Sequence, residues 1–440
     1  KELIIEFMTY SIVIKTGLAG LSMAWYLRKH CGAKDFGVAF FGIFYALSGY
    51  MAAYSWNIMW LDCIVLFPVI MLGLERLVKE EKGLLYCISL GLAILSNYYI
   101  SIMICIFMVI YFGALLILEG FKGFRKLGKA VWQFAAYSLL AGGLAAAVLL
   151  PEIFALQATA SGDFNFPKTV SSYFSIFDMI ARHIGNVETE IGLDHWPNIY
   201  CGVAAFLLIP LYAVNPGIPL RRRFARLALT GFMLVSFGTN VLDFLWHGYN
   251  YPDSLPGRQT FLYIFLILTM CFECFLHLRD LEPKYILYSY LGTVLFLLGC
   301  QQFIDHEDFS GEVWLGTMLF VTVDAVLLHL YRTRCEKGRA EALFQPAGNA
   351  KETQTDEDIV QASENVQEQE SPPVAAGEHL SQTAENVQEQ ESRSQAAPRR
   401  HGWGKKDWRI WLAAMALLAV VLETGINTFN TSVGTTSRSA

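Results

Sequence analysis

Phe36–Leu77 reads FGVAFFGIFYALSGYMAAYSWNIMWLDCIVLFPVIMLGLERL, two long apolar runs separated by a short polar turn at Ser55–Asn57. A helix crossing the ~30 Å hydrocarbon core of a bilayer needs about 20 mostly apolar residues, and each run is close to that length. The same ruler applied outward predicts spans over Leu3–Tyr26, Phe36–Tyr54, Trp60–Leu77, Leu84–Leu95, Tyr98–Leu118, Ala130–Leu150, Tyr200–Val214, Phe224–Leu242, Phe261–Phe275, Tyr285–Phe303, Val313–Leu330 and Trp411–Leu422. The expected fold is an all-α polytopic membrane protein of about twelve transmembrane helices. Leu84–Leu118 is too long for one crossing, so two short helices are predicted to meet in a tight turn at Asn97.

Composition agrees with a membrane class. The chain has 440 residues, 54% hydrophobic and 16% charged, and a mean hydropathy of +0.39. Soluble domains average roughly 45–50% apolar and about 25% charged. The net charge of −6 comes from Glu352–Glu391, which holds many acids and no Lys or Arg. The remaining Lys and Arg sit in short clusters between apolar runs, a pattern that suits an anionic leaflet and gives no reason to expect nucleic acid. The nine cysteines lie mostly in apolar stretches, and Cys271-x-x-Cys274 is read as helix packing rather than a zinc or redox site. No metal-ligand set is read from the sequence. No P-loop, H-E-x-x-H or G-x-S-x-G occurs in its required context. Ala141–Ala147, AGGLAAA, is read as a close-packing stretch within a span.

Cytoplasmic loops carry the excess of Lys and Arg. Clusters at Arg28/Lys29/Lys34, Arg76/Lys79/Lys82, Lys122/Arg125/Lys126/Lys129, Arg221/Arg222/Arg223/Arg226, Arg279/Lys284, Arg332/Arg334/Lys337/Arg339 and Arg399/Arg400/Lys405/Lys406 fall on alternate loops. A multi-pass protein of a bacterial cell membrane is expected, with residue 1 and the C-terminus external. The expected divisions are six spans over 1–150, an external loop with short interfacial helices over 151–198, five spans over 199–332, a cytoplasmic linker over 333–408, a last span over 409–425 and the start of an external segment over 426–440. The linker's centre, Gln345–Gly402, has no Phe, Trp or Tyr and repeats ENVQEQES at Glu364–Ser371 and Glu385–Ser392. Such a segment buries too little apolar surface to offset its ordering entropy, so a disordered tether is predicted. Because the chain starts at Lys1 without a signal-peptide pattern, it is read as a fragment.

Charged groups inside a bilayer are costly unless paired or hydrated, so each needs a reason. Lys15 stands mid-run, and two readings stand for it: an ion pair between helices, or a cation for a lipid phosphate. Asp62 lies at the mouth of its span among Tyr50, Asn57 and Trp60, an aromatic and hydrogen-bonding group in the style of a sugar site. Asn97, Tyr98 and Tyr99 at the outer turn, with Glu152 and Arg258 in outer loops, complete a polar set expected on the outer face. Glu273 and Asp324 are assigned to helix packing.

Phe41–Glu75, with its SGYM followed by N-x-x-W-L-D and a Pro in the same run, together with KTGLAG at Lys15–Gly20 and LSNYYIS at Leu95–Ser101, resembles the YfhO family of bacterial membrane proteins. The resemblance extends over the spans up to Leu330 and resumes after the linker. It implies a GT-C glycosyltransferase architecture, in which a sugar moves from a polyprenyl phosphate to an extracytoplasmic acceptor such as lipoteichoic acid. On that implication Lys15, Tyr50, Asn57, Trp60, Asp62, Asn97, Tyr98 and Arg258 are candidate substrate-binding residues. Asp62 and Glu152 are candidate secondary carboxylates, the principal base is expected upstream of Lys1, and a divalent metal is the one cofactor to consider. A flippase or transporter of lipid-linked sugars, with Lys15, Glu273 and Asp324 as its path, and a non-catalytic envelope assembly factor are the alternatives.

Overall fold

The computed structural model describes residues 2–33, 35–120, 123–157, 166–251, 254–304, 306, 308–343 and 407–437. The described residues are helical or irregular and contain no strand, only an isolated bridge between Ser172 and Thr239. The helices are α1 (Glu2–Cys31), α2 (Gly37–Ala46), α3 (Gly49–Tyr54), α4 (Ile58–Glu80), α5 (Leu84–Ser96), α6 (Tyr98–Glu119), α7 (Phe124–Leu144), α8 (Ala146–Gln157), α9 (Ile176–Ala181), α10 (Ala204–Val214), α11 (Leu220–Gly238), α12 (Asn240–Trp246), α13 (Thr260–Leu276), α14 (Pro283–Phe303), α15 (Gly311–Leu343) and α16 (Asp407–Ser437). One compact unit takes in 1–334 and 412–440. The other covers 335–411, of which the end of α15 and the start of α16 are described.

Each predicted run falls on a helix, but fewer than twelve of the helices have the length and apolarity of a full crossing. Seven helical stretches among the described residues are long and apolar enough to span a membrane, or eight if a bent pair is one span. Leu84–Ser96, Ala204–Val214 and Thr260–Leu276 are apolar but shorter, and α11, which opens on Arg221, Arg222 and Arg223, is not among the candidates. The expected close packing at Ala141–Ala147 holds at Ala141, whose carbonyl lies 3.2 Å from where a Cβ on Gly91 of α5 would sit. The stretch also breaks: α7 and α8 meet at 81°, and a Cβ on Gly142 or Gly143 would touch nothing. Two adjacent glycines weaken the helix, and the Ala145 N–H closes the turn on three carbonyls at once. Helix α15 runs past the expected boundary at 333 to Leu343, and α16 extends beyond 425 to Ser437. The predicted tether, Gln345–Gly402, lies outside the described residues.

The turn at Asn97 forms as expected. Asn97 leaves the helical region (φ −158°, ψ 106°) and its side chain accepts from the Ile100 N–H at 2.8 Å, capping α6. Side-chain contacts give the direction of each helix. Lys15 meets Asp62 while Tyr26 and His30 meet Glu75, so α1 and α4 run parallel. Cys63 contacts the Ala93 carbonyl, and Gly73 lies against Tyr86, so α5 is antiparallel to α4. Cys63 also contacts Ser101 and Glu75 contacts Tyr111, so α6 turns back. A Cβ on Gly73 would come within 2.6 Å of the Tyr86 nitrogen, so only glycine permits that α4–α5 approach.

These directions sort the charges. Arg28, Lys29, Arg76, Lys79, Arg222, Arg226 and Arg332 gather toward one end, called here the basic end. Asn97, the loop before α13 and the start of α4 form the opposite end. The core between them is aromatic, with Phe67 edge-on to Phe107, Phe261 and Phe265. Helix α1 turns Leu3, Ile4, Phe7, Tyr10 and Val13 outward, as a lipid-facing helix does.

Candidate functional site

At the opposite end, α3, α4, α6 and the loop before α13 converge on Arg258. Leu255 and Gly257 both have positive φ, 58° and 62°, and this tight turn brings Arg258 back over the helix ends. Its guanidinium lies 5.0 Å from the Tyr99 ring centroid and 5.6 Å from that of Trp60, within the range of a cation–π contact. Nη1 donates to the Tyr99 hydroxyl, Nη2 to the Ser254 carbonyl at 2.8 Å and Nε to the Leu255 carbonyl at 3.0 Å. No carboxylate among the described residues lies within ion-pair distance of Arg258. The guanidinium is thus fixed in direction, and no acid among the described residues neutralises its charge.

Around it, Trp60 packs edge-on to Tyr54, and Tyr54 in turn to Tyr50. The Tyr54 hydroxyl donates to the Pro256 carbonyl and accepts from Asn198. Several buried polar atoms here have no protein partner: Tyr50 Oη, Asn57 Nδ2, both amide atoms of Gln259, and Thr260 Oγ1. Buried polar groups are almost always hydrogen-bonded to protein, water or ligand. Their concentration in the segments flanking Arg258 marks this end as hydrated or ligand-binding.

The remaining sequence candidates are partly drawn together and partly dispersed. Lys15 donates to Asp62 Oδ2 at 2.8 Å and to the Ile58 carbonyl at 3.1 Å. The pair is partly open, with side-chain exposures of 21% and 39%. Of the two readings of Lys15, the helix-to-helix ion pair is the one observed. Trp60 and Asp62 diverge around α4, so the Lys15–Asp62 pair faces α1 while Trp60 faces Arg258. The Asn97 side chain is committed to its cap, and Tyr98 lies within electrostatic reach of Glu152, which sits on α8 and not in a loop. A small cleft at this end is lined by none of these residues, but by Arg182, Thr189, Asn198, Tyr200, Asn427 and Thr431 among others.

Sequence reading missed a second polar group at this end. Asp243 is buried; its Oδ2 accepts from the Tyr173 hydroxyl at 3.1 Å, and its Oδ1 lies 3.1 Å from His247 Nδ1. His195, half-buried, stacks on Tyr173 with centroids 3.8 Å apart and points Nδ1 at Asp243 from 3.7 Å. Burial and the neighbouring Asp243 push the Tyr173 phenol well above its usual range. Arg182, also buried, donates to Asp308 Oδ2 at 2.9 Å and to the Glu188 carbonyl at 2.8 Å, and lies over Trp196. A sequence signal for this group exists in the run of aromatics between Pro151 and Asn198, among them Phe164, Phe166, Tyr173, Phe174, Phe177 and Trp196. Among the described residues no three His, Cys, Asp or Glu side chains are placed to share a metal ion.

The basic end holds an ionic network. Glu273 accepts from Arg222 at 2.7 Å and Arg226 at 2.6 Å. Arg226 Nη2 donates to His30 Nε2 at 2.8 Å, which leaves the His30 proton on Nδ1, facing Glu75 Oε2 at 2.6 Å. Tyr26 and Tyr111 donate to the other Glu75 oxygen at 2.8 and 3.2 Å. The packing role expected for Glu273 is the one observed, through an arginine read from the sequence as a loop charge.

The family described as bacterial membrane protein YfhO matches residues 3–347. No curated protein and no solved structure matches the chain.

Proposed function

Since the chain belongs to the YfhO family of bacterial membrane proteins, we propose that it is a membrane glycosyltransferase of GT-C type that moves a sugar from a polyprenyl phosphate to an extracytoplasmic acceptor of the teichoic-acid class. In this reading the basic end faces the cytoplasm, by the excess of Lys and Arg, and the Arg258 end faces outward.

The observation that carries the proposal is Arg258: a guanidinium held between Trp60 and Tyr99, with no acid among the described residues paired to it. Such a group suits a phosphate monoanion or dianion, and the flanking rings suit the apolar face of a sugar. In the transfer an acceptor hydroxyl oxygen attacks the anomeric carbon, the bond from that carbon to the phosphate oxygen breaks, and polyprenyl phosphate departs with the electron pair. The developing phosphate charge is what Arg258 stabilises. The acceptor's proton needs a base. The His195 imidazole, backed by buried Asp243, has the right chemistry, alongside the carboxylates Asp62 and Glu152.

The flippase alternative is less well supported. Its three path residues are separated, with Lys15 paired to Asp62 and Glu273 paired to arginines at the basic end. The test is transfer of labelled sugar from a polyprenyl phosphate to a teichoic-type acceptor by the full chain in vesicles. Transfer that falls on Arg258→Ala is expected; transfer that is unchanged by it, or no transfer above protein-free vesicles, overturns the reading.

A further inference from the structure

Every buried acid described so far has a basic or imidazole neighbour. Glu75 has His30, Glu273 has Arg222 and Arg226, and Asp243 has His247. Asp324 on α15 and Glu423 on α16 have none among the described residues. They are 8% and 3% exposed and lie within electrostatic reach of one another. No Lys, Arg or His is among the groups acting on either. The ionisable groups that do face them are Tyr200 and Cys201.

The two carboxylates are not equivalent. Glu423 Oε1 accepts from the Tyr200 hydroxyl at 2.8 Å and from the Val203 N–H at 2.6 Å, so that oxygen is well served as an anion. Asp324 Oδ2 is buried with no hydrogen-bond partner. Two uncompensated negative charges in a low-dielectric bundle are not tolerated; such a pair takes up a positive charge.

A polar route leads to them. On α15 Thr317 lies about two turns from Asp324 on the same face, buried, its Oγ1 unpartnered. On α16 Thr424 and Asn427 continue from Glu423 as buried polar residues, and Asn427 holds the Asn186 N–H at 2.7 Å. Asn427, Thr431 and Tyr200 then line the cleft that Arg182 and Asn198 also line. Tyr200 thus lies at once on the cleft wall and in contact with Glu423.

We propose that Asp324 and Glu423 together bind one small monovalent cation, H⁺ or Na⁺, that enters from this cleft past Tyr200. Occupancy changes the charge of the pair from −2 to −1. With a proton, an O–H bond forms on Asp324 Oδ2 as one breaks in the hydronium ion that delivers it, leaving water; with Na⁺, carboxylate oxygens and neighbouring hydroxyls replace water ligands and no covalent bond changes. The site is separate from Arg258 and does not depend on the sugar-transfer reading.

The test uses the full chain in lipid nanodiscs. Saturable ²²Na⁺ binding that is lost in Asp324→Asn supports the proposal with Na⁺ as the ion. Absence of Na⁺ binding together with a carboxylic-acid C=O band in the infrared spectrum at neutral pH, removed by Asp324→Asn or Glu423→Gln, supports it with a proton. Tyr200→Phe is expected to slow cation exchange several-fold while leaving occupancy intact. Asn and Gln keep the shape of the occupied carboxyl; should one variant fail to fold, the other carries the same readouts. Wild-type protein with neither Na⁺ binding nor such a band overturns the proposal.

Discussion

Arg258 and Tyr99 make two contacts with one another: the guanidinium lies 5.0 Å from the ring centroid, and its Nη1 donates to the hydroxyl of the same residue. Stacking and donation together fix the plane of the guanidinium as well as its position. A lysine reproduces the charge but not the planar fork. Arg258→Lys is therefore expected to restore little of the activity lost in Arg258→Ala, with both at least about 10-fold below wild type in kcat/KM for sugar transfer, since an oriented charge-assisted contact to developing phosphate charge contributes on the order of 2–4 kcal/mol. Tyr99→Phe, which keeps the ring and removes the hydroxyl, should fall between them. Full rescue by lysine would show that orientation is irrelevant there.

Lys15 and Asp62 are predicted to be coupled to one another and only weakly to Arg258, because they diverge from Trp60 around α4. Lys15→Met and Asp62→Asn should each lower the thermal midpoint in detergent, and the double variant should lose less than the sum. The coupling energy expected for a partly exposed pair is about 1 kcal/mol. A strictly additive double variant would remove the pair from any structural role.

How much of this was legible in the sequence varies with the range of the interaction. Helix positions were, because an apolar run of the right length is a local signal. So was the break at Asn97, where a capping residue interrupts the run and then supplies the bond that starts α6. The number of crossings was not, since the 81° bend after Leu144 and the shortness of α10 depend on what packs around them. Pairing was invisible for the same reason. Lys15 on α1 finds Asp62 on α4, 47 residues on, and Arg182 finds Asp308 126 residues on. Arg226 sits in a run of arginines that reads as a loop, yet it is buried against Glu273. The charge rule that sorts loops therefore misplaces a residue whose partner lies on another helix.

Glu273→Gln should destabilise the bundle severely. It leaves Arg226, buried, and Arg222 facing a neutral amide, and breaking a buried pair by removing one partner costs about 3–5 kcal/mol. Replacing His30 by Phe should cost less, because the charges at both ends of that bridge retain other partners: Arg226 keeps Glu273, and Glu75 keeps Lys79, Tyr26 and Tyr111. Protease sensitivity of the folded protein in detergent ranks the two. Equal stability of Glu273→Gln and wild type would mean that the network is hydrated rather than buried.

Acid should loosen the loop that carries α9 before it touches the helices. His183 lies in this loop, outside the spans, fully enclosed. Its Nδ1 lies 2.8 Å from the Ile180 carbonyl, and its Nε2 lies 2.9 Å from the Tyr263 hydroxyl. The first contact fixes the proton on Nδ1, so Nε2 accepts from Tyr263 and the ring is neutral. Burial holds its pKa down at about 4, against 6.5 for a free imidazole. A depressed histidine favours the folded form above the free value and loses that advantage as the pH falls from 6.5 towards 4, a contribution of about 3 kcal/mol when complete. Amide exchange over Ile176–Asn186 should accelerate through that window, and His183→Gln, which cannot be protonated, should flatten the response. Acceleration that is unchanged in His183→Gln would assign the pH response to another group.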